Sequence, residues 1–433
     1  VKGGDGRETI YALSSGNPPA AIAVVRISGP AADDALKALA DRLPEPRQAS
    51  LAALHHPKTG ELLDNALVLR FPGPASATGE DVAELHLHGG RSVVSAVLAA
   101  LSQVDGLRPA EAGEFTRRAF ERGRIDLAEA EGLADLLTAE TESQRRSALA
   151  LAGGTLSRAV GKWQEQILTL SAQLEAALDF SDEGDVSEEV SLADSAALEK
   201  LILEMSSALS RPTSERLQDG VKVVIAGPPN VGKSSLLNWL AGRKAAITSA
   251  VAGTTRDLVE APTAIEGSPF LLVDTAGLRQ SDDEVEAIGI ERAEESLSVA
   301  DLILWLGAPE ACPYPDRAII IRSKSDVRMD EVEPEVDISV SSETGEGMNE
   351  LVALLIARSR ALLPHEGQVA INARHHTAIA ECLASLREAQ SAADFIIASE
   401  VLRQARVALD RVTGRAGVED MLDALFGRFC IGK

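Results

Sequence analysis

Eight residues near the middle of the chain, Gly227-Pro-Pro-Asn-Val-Gly232-Lys233-Ser234, have the pattern G-x-x-x-x-G-K-S. They follow an apolar run, Val221-Lys-Val-Val-Ile-Ala226, and precede Ser235-Leu-Leu-Asn-Trp-Leu-Ala241. The spacing predicts a strand, a tight loop and a helix, the context in which this pattern binds phosphate. The glycines let backbone N–H groups of Asn230, Val231, Gly232 and Ser235 turn toward an anion, and the helix N-terminus adds partial positive charge. Lys233 is expected to reach the outer phosphates of a nucleotide, and the Ser234 hydroxyl to ligate Mg²⁺.

Four further segments narrow the nucleotide. Asp274-Thr275-Ala276-Gly277 follows Phe270-Leu-Leu-Val273, a strand run, and places a carboxylate near the Mg²⁺ shell and an N–H near the γ-phosphate. Gly253-Thr254-Thr255 lies before it, with Thr255 a second Mg²⁺ ligand candidate. Ile319-Ile-Ile-Arg-Ser323-Lys324-Ser325-Asp326 resembles the N-K-x-D motif whose carboxylate pairs with the guanine edge, with Ser323 standing where asparagine is expected. Ser341-Ser342-Glu343-Thr-Gly345 resembles the last guanine loop. In this order the segments predict a GTPase, and Lys324 with Asp326 disfavours an ATPase. Serine is shorter than asparagine and lacks the amide, so Ser323→Asn is expected to tighten guanine-nucleotide binding.

Leu278 occupies the place after Gly277 where Ras-like proteins carry a water-orienting glutamine. A leucine side chain cannot hydrogen-bond water. Either the chain hydrolyses poorly or another group acts. Glu286, in the acidic stretch Asp282-Asp-Glu284-Val-Glu286, is one candidate, and a solvated acidic face is the other reading of that stretch.

The elements that position these residues fall into a multidomain α/β pattern. Residues 8–130 mix strand runs (Ile22–Ile27, Ala66–Phe71, Val82–His88) with helical spacing. From about Leu127 to Leu178 the chain is rich in Ala and Leu at helical spacing, and Ala196–Leu209 continues it. Strand and helix signals alternate from Val221 to Leu363, as in a doubly wound domain. The chain is helical again from Ile371. The reading is an α+β domain at 1–125, a discontinuous helical domain at 126–218 and 366–433, and an inserted Ras-like P-loop domain at 219–365.

Charge excludes one class. The chain of 433 residues carries a formal net charge of −24, which argues against a generic nucleic-acid coat. Residues 131–215 hold 6 basic against 16 acidic residues and residues 216–366 hold 14 against 25, whereas residues 367–433 hold 8 of each. A polyanionic partner is therefore expected at the two ends. Candidate contacts are Arg117, Arg118, Arg122, Arg403, Arg406, Arg411 and Arg415, of which only a subset is expected to serve, the others being solvated or paired with nearby Glu. The three cysteines, Cys312, Cys382 and Cys430, have no metal-knuckle spacing. No apolar run approaches the roughly 18 residues of a membrane span, and the first residues lack signal-peptide character. A cytoplasmic protein is expected.

Longer motifs point to one family. Val25-Arg26-Ile-Ser-Gly29, Thr78-Gly-Glu-Asp-Val-Ala-Glu84, His88-Gly-Gly90, Gly113-Glu-Phe-Thr-Arg-Arg-Ala-Phe120, Ala250-Val-Ala-Gly-Thr-Thr-Arg-Asp257 and the terminal Phe429-Cys430-Ile-Gly-Lys433 resemble the tRNA-modification GTPase family MnmE/TrmE over nearly the whole chain. The resemblance implies a folate-binding, dimerising N-terminal domain and a GTPase domain inserted in a helical one. It implies a homodimer that joins an FAD-dependent MnmG-type partner in a heterotetramer. Together they would add an aminomethyl or carboxymethylaminomethyl group at C5 of the tRNA wobble uridine. By the same resemblance, Arg26, Glu84 and Lys433 match ligands of a one-carbon folate such as formyl-tetrahydrofolate, and Arg124 aligns with a further ligand that is lysine in the family. Asn230, Ser249, Val251 and Thr254 match K⁺ ligands in a nucleotide-binding loop that runs through Ala250, Ala252 and Gly253. Glu286 matches the catalytic glutamate that positions water.

His86 and His88 lie two apart on one strand, and no third ligand is evident. Cys430 reads equally as a reactive thiol or a small buried group. A regulatory GTPase switch, such as a ribosome-assembly factor, is the alternative function. The phosphate-loop features fit it equally, but the Arg26, Glu84 and terminal Cys-Ile-Gly-Lys motifs have no use in a simple switch.

Overall fold

The structure, a computed structural model, describes residues 8–40, 42–179, 195–242, 259–275, 293–327, 336–364, 371–416 and 419–433. The chain forms two compact units, Val1–Ala134 with Thr413–Lys433, and Asp135–Val412.

The first unit is built on a six-stranded sheet. Its strands are β1 (Thr9–Leu13), β2 (Ile22–Ser28), β3 (Ser50–His55), β4 (Leu62–Phe71), β5 (Val82–His88) and β6 (Leu107–Pro109), in the order β3-β4-β5-β2-β1-β6. Period-two alternation sends Ala23, Val25 and Ile27 of β2 and Ala83, Leu85 and Leu87 of β5 into one core. Leu36 and Leu39 from α1 (Ala32–Leu39) and Val94, Val97 and Leu101 from α2 (Arg91–Leu101) close that core. Ile10 and Ala12 of β1 join Ala110, just after β6, and Phe115 of α3 (Glu114–Glu121) in a second cluster. The alternation therefore frees Arg26 and Glu84 from the main core.

The C-terminal segment belongs to this unit. A Cβ on Gly113 would sit 2.3 Å from the Phe426 carbonyl oxygen, and one on Gly432 would sit 2.1 Å from the Leu13 carbonyl oxygen. Both glycines have positive φ, so only glycine allows these approaches. Ser14 Oγ donates to the Gly432 carbonyl at 2.8 Å.

The second unit holds a six-stranded sheet of β7 (Val221–Ala226), β8 (Val259–Ile265), β9 (Ser268–Asp274), β10 (Leu302–Trp305), β11 (Ala318–Ser323) and β12 (Ile338–Val340). The order is β12-β11-β10-β7-β9-β8, parallel throughout except for β8. Central β7 is buried almost continuously, as a strand covered on both faces must be.

The long Ala/Leu stretch is not one helix. It divides into α4 (Leu127–Thr138), α5 (Glu142–Ala152) and α6 (Thr155–Asp179), and α7 (Ala196–Leu209) and α8 (Glu215–Asp219) come before β7 in the chain. Thr141 and Gln144 form a reciprocal capping box that starts α5. Gly154, at φ +74°, breaks the chain again before α6. Composition carried the helical signal across both breaks. Among the described residues no helix is long and apolar enough to cross a membrane.

Candidate functional site

The loop after β7 has the geometry that its sequence predicts. Gly227 lies at φ +145°, and a Cβ there would come within 3.0 Å of the Leu306 carbonyl carbon. Gly232 lies at φ +104°. Lys233, 6 % exposed, opens the helix α9 (Lys233–Gly242). Its ammonium donates to the carbonyls of Gly227 at 3.0 Å and Pro228 at 2.8 Å, and so spans the loop from inside. Ser234 Oγ donates to Asp274 Oδ2 at 2.7 Å. That contact brings a hydroxyl and a carboxylate oxygen to one point, an oxygen donor set suited to Mg²⁺. Thr275 Oγ1 donates to the Ile225 carbonyl at 2.9 Å and pins the end of β9 to β7.

The guanine-side segments converge on the same loop. A cavity of about 550 Å³ is lined by Gly232, Ser235, Ser323, Lys324, Asp326, Ser341, Ser342 and Glu343. Ser323 Oγ donates to the Val231 carbonyl at 2.5 Å, and Lys324 Nζ to the Asn230 carbonyl at 2.8 Å. Ser325 N–H donates to the Val340 carbonyl at 3.2 Å. Ser341, 1 % exposed, accepts from the Glu343 and Thr344 N–H groups at 3.3 and 3.1 Å and so shapes the last loop. Ser249 through Thr255, Ala276, Gly277 and Glu286 lie outside the described residues.

In the first unit Arg26 and Glu84 are cross-strand neighbours on β2 and β5. Arg26 Nε donates to Glu84 Oε1 at 3.0 Å, and the pair is closed by a second contact of 2.9 Å. The guanidinium lies 5.8 Å from the Phe115 ring centroid. Both side chains keep about a fifth of their surface open, 24 % and 18 %. Arg124, exposed, runs beside Gly79, where a Cβ would sit 3.3 Å from its Cγ. Lys433 follows the Gly432 anchor at the end of β1, and Leu13 there pairs with Val25, next to Arg26. All four residues thus belong to one unit.

Two family models match, one described as the GTP-binding protein TrmE N-terminus over residues 9–124 and one as the MnmE helical domain over residues 127–430. A Rhizorhabdus wittichii protein named tRNA modification GTPase MnmE is 56 % identical, with 100 % of this chain and 98 % of that one aligned. Its namesake in Erythrobacter litoralis is 55 % identical over 98 % of this chain and 100 % of that one. The chain belongs to the MnmE family of tRNA-modification GTPases.

In this MnmE-family chain Arg118 departs from its sequence reading. Arg118 is no surface contact for a polyanion. It is 6 % exposed and pairs with Glu80 at 3.0 Å and Glu114 at 3.0 Å. Burial of an arginine is invisible in sequence, where charge reads as surface. Arg122 also meets Glu80, Arg117 meets Glu121 and Asp423, Arg403 meets Glu400, and Arg411 meets Glu381. Arg406 and Arg415 are exposed. His86 contacts Glu84, and His88 Nδ1 lies 2.7 Å from Asp64, whose side chain is 7 % exposed. Neither Glu80 nor Asp64 announced itself in the sequence, because each acts on a residue 24 or more positions away. Among the described residues no cluster of three or more His, Cys, Asp or Glu could hold a metal ion. Cys382 is buried, which pushes its thiol up to about 12, and Cys430 is exposed.

Proposed function

We propose that this chain hydrolyses GTP at the loop between β7 and α9 and couples that hydrolysis to modification of the tRNA wobble uridine. In this reading it works as a homodimer with an FAD-dependent MnmG-type partner in a heterotetramer, in the cytoplasm. The product carries an aminomethyl or carboxymethylaminomethyl group at uridine C5. The observation that carries the reading is the presence of two separate polar sites in one chain, the Lys233 loop with its guanine-side cavity and the Arg26–Glu84 pair. A simple regulatory switch has no use for the second. The proposed partition is an N-terminal domain at 1–125, a discontinuous helical domain at 126–218 and 366–433, and an inserted GTPase domain at 219–365.

Each residue then has a task. Lys233 and the N–H groups of the loop bind the β- and γ-phosphates. Asp326 pairs with the guanine edge. Ser234 and Thr255 would hold Mg²⁺, and Asn230, Ser249, Val251 and Thr254 would hold K⁺. When bound, these cations supply the positive charge that an arginine finger provides elsewhere. Glu286 positions the attacking water in place of the missing glutamine. Arg26, Glu84, Arg124 and Lys433 would hold a one-carbon folate, which when bound would offer a carbon at the oxidation level that the modification needs. The Arg26–Glu84 pair suits such a ligand, since an arginine fixed by a carboxylate and stacked on Phe115 is already oriented.

Turnover is expected to fall when K⁺ is replaced by Na⁺ at constant ionic strength, and to rise with protein concentration in K⁺ as GTPase domains pair. The smaller ion fills a K⁺-sized oxygen cage poorly. Equal turnover in both salts, flat against protein concentration, would remove K⁺ and pairing from the mechanism. The function itself is tested by mass analysis of tRNA nucleosides from cells lacking this protein. Loss of the C5 group at wobble uridine is expected, and unchanged nucleosides would favour the switch.

A further inference from the structure

We infer that His86 is a further residue of the one-carbon folate site, where it competes with the ligand for the Glu84 carboxylate and weakens binding as pH falls. The inference rests on the reading that Arg26 and Glu84 hold a folate. Period-two alternation puts His86 on the face of β5 that carries Glu84. On one side β2 sets Arg26 opposite Glu84 and Val24 opposite His86. On the other side β4 sets Leu69 opposite Glu84 and Leu67 opposite His86. The face therefore presents a polar group of Arg26, Glu84 and His86 among aliphatic side chains, with 27 % of the His86 side chain open.

The two oxygens of Glu84 are unequally engaged. Oε1 accepts from Arg26 Nε at 3.0 Å and lies 2.9 Å from a second guanidinium nitrogen. Among the described residues Oε2 has one hydrogen-bond contact, His86 Nε2 at 3.4 Å. That bond is loose, since an ordinary N–H···O bond spans about 2.7–3.2 Å. Oε2 is thus the oxygen that a ligand can take. The pterin ring of a folate carries an N–H beside an NH₂ group, and a carboxylate is the acceptor that suits such a donor pair. Of the candidate ligands, Arg26, Arg124 and Lys433 are donors, so the pterin donors fall to Glu84.

The state of His86 then decides how free Oε2 is. As pH falls the imidazole gains a proton. Its bond to Oε2 becomes charge-assisted, shorter and stronger, and a ligand must break it to enter. The charged groups around the ring are few. Arg26 approaches from β2, and Glu84 from β5 itself. His88, next on this face of β5, has its ring tied to Asp64 of β4 at 2.7 Å. Leu67 is the β4 residue beside His86, and α3 contributes Phe115 under Arg26. Arg26 is already paired with Glu84, so the contact that changes with the proton is Glu84 to His86.

The test is calorimetric titration of the full-length protein with formyl-tetrahydrofolate at about pH 8 and about pH 5.5, on either side of the ordinary imidazole range. The parent should bind about three- to tenfold more weakly at the acid end, the span that one net hydrogen bond covers. His86→Gln keeps a polar side chain that takes up no proton, and its affinities at the two ends should agree within about twofold, less than one hydrogen bond contributes. His86→Lys fixes a cation beside Glu84 and should bind at both ends as weakly as the parent does in acid. A flat parental affinity, a glutamine variant with the parental pH dependence, or a lysine variant with the parent's affinity at the upper pH would each overturn the inference. A parent that binds no formyl-tetrahydrofolate at either pH would instead overturn the folate reading, and the inference with it.

Discussion

Replacing Lys233 by alanine is expected to lower kcat/KM for GTP by about two to three orders of magnitude, the scale seen when one preorganised group facing developing charge is removed. The ammonium is buried in the loop and held by two carbonyls, so it needs no reorganisation to meet phosphate oxygens that enter the same concavity. Its loss also removes the two bonds that hold the loop shut around Gly227 and Pro228. GDP affinity should therefore fall together with turnover. Lys233→Arg should not rescue, because a planar guanidinium cannot fit where a compact ammonium meets two carbonyls. Glu286→Ala provides the contrast. A water-positioning group acts in the transition state, so its loss should lower kcat while leaving GDP affinity near the parental value. Turnover and fluorescent-nucleotide titration of the three variants check both statements. A Lys233→Ala protein with turnover within threefold of the parent would show that the loop is not the hydrolytic site.

Arg118→Ala is expected to destabilise the first unit by about 3–5 kcal/mol, the cost of leaving a buried partner charge uncompensated. Arg118 and Glu80 are 6 % and 4 % exposed at the side chain, and their contact is 3.0 Å. Ser28 Oγ also donates to Glu80 at 2.8 Å and meets Thr78 at 2.7 Å. The Arg118 guanidinium further donates to the Glu8 carbonyl at 2.9 Å. One arginine therefore joins α3, the strand β2 and the loop before β5. Hydrogen exchange at the β1, β2 and α3 amides is the measurement, since it reads this unit alone. Replacing Arg118 and Glu80 together by methionine should recover part of the loss, because the orphaned charge is gone. A single variant costing less than about 1 kcal/mol would show that water reaches the pair. Glu114, on the same arginine, carries the pH dependence. Burial pushes its carboxyl up, but the Arg108 hydrogen bond, the Glu111 N–H and the charges of Arg118 and Arg108 bring it below the ordinary range. Its contribution to stability is present above the unfolded carboxylate value and is lost as pH falls through the lower folded value.

The phosphate loop was legible in sequence because its chemistry is local. Eight consecutive residues specify two glycine backbones, a lysine and a hydroxyl, and the flanking strand and helix follow from burial pattern and spacing. Helix content was legible for the same reason. The breaks at Thr141 and Gly154 were less so, since a uniform Ala/Leu composition masks a cap and a single left-handed residue. The charged residues divided differently. Sequence places Arg26 and Glu84 on strands, but it gives no register, and only the pairing of β2 with β5 sets them opposite each other. Arg118 read as a surface charge, and nothing in the sequence marked Glu80 or Asp64 as its partner or that of His88. The tertiary structure decides each of these by joining segments that the chain separates, 38 residues for Arg118 and Glu80, 24 for His88 and Asp64, 92 for Ser323 and Val231, and 418 for Ser14 and Gly432. Closing such separations costs chain entropy that no local motif repays. They close because burying the apolar faces of the two sheets offsets that cost, and the polar partners are fixed wherever that packing places them.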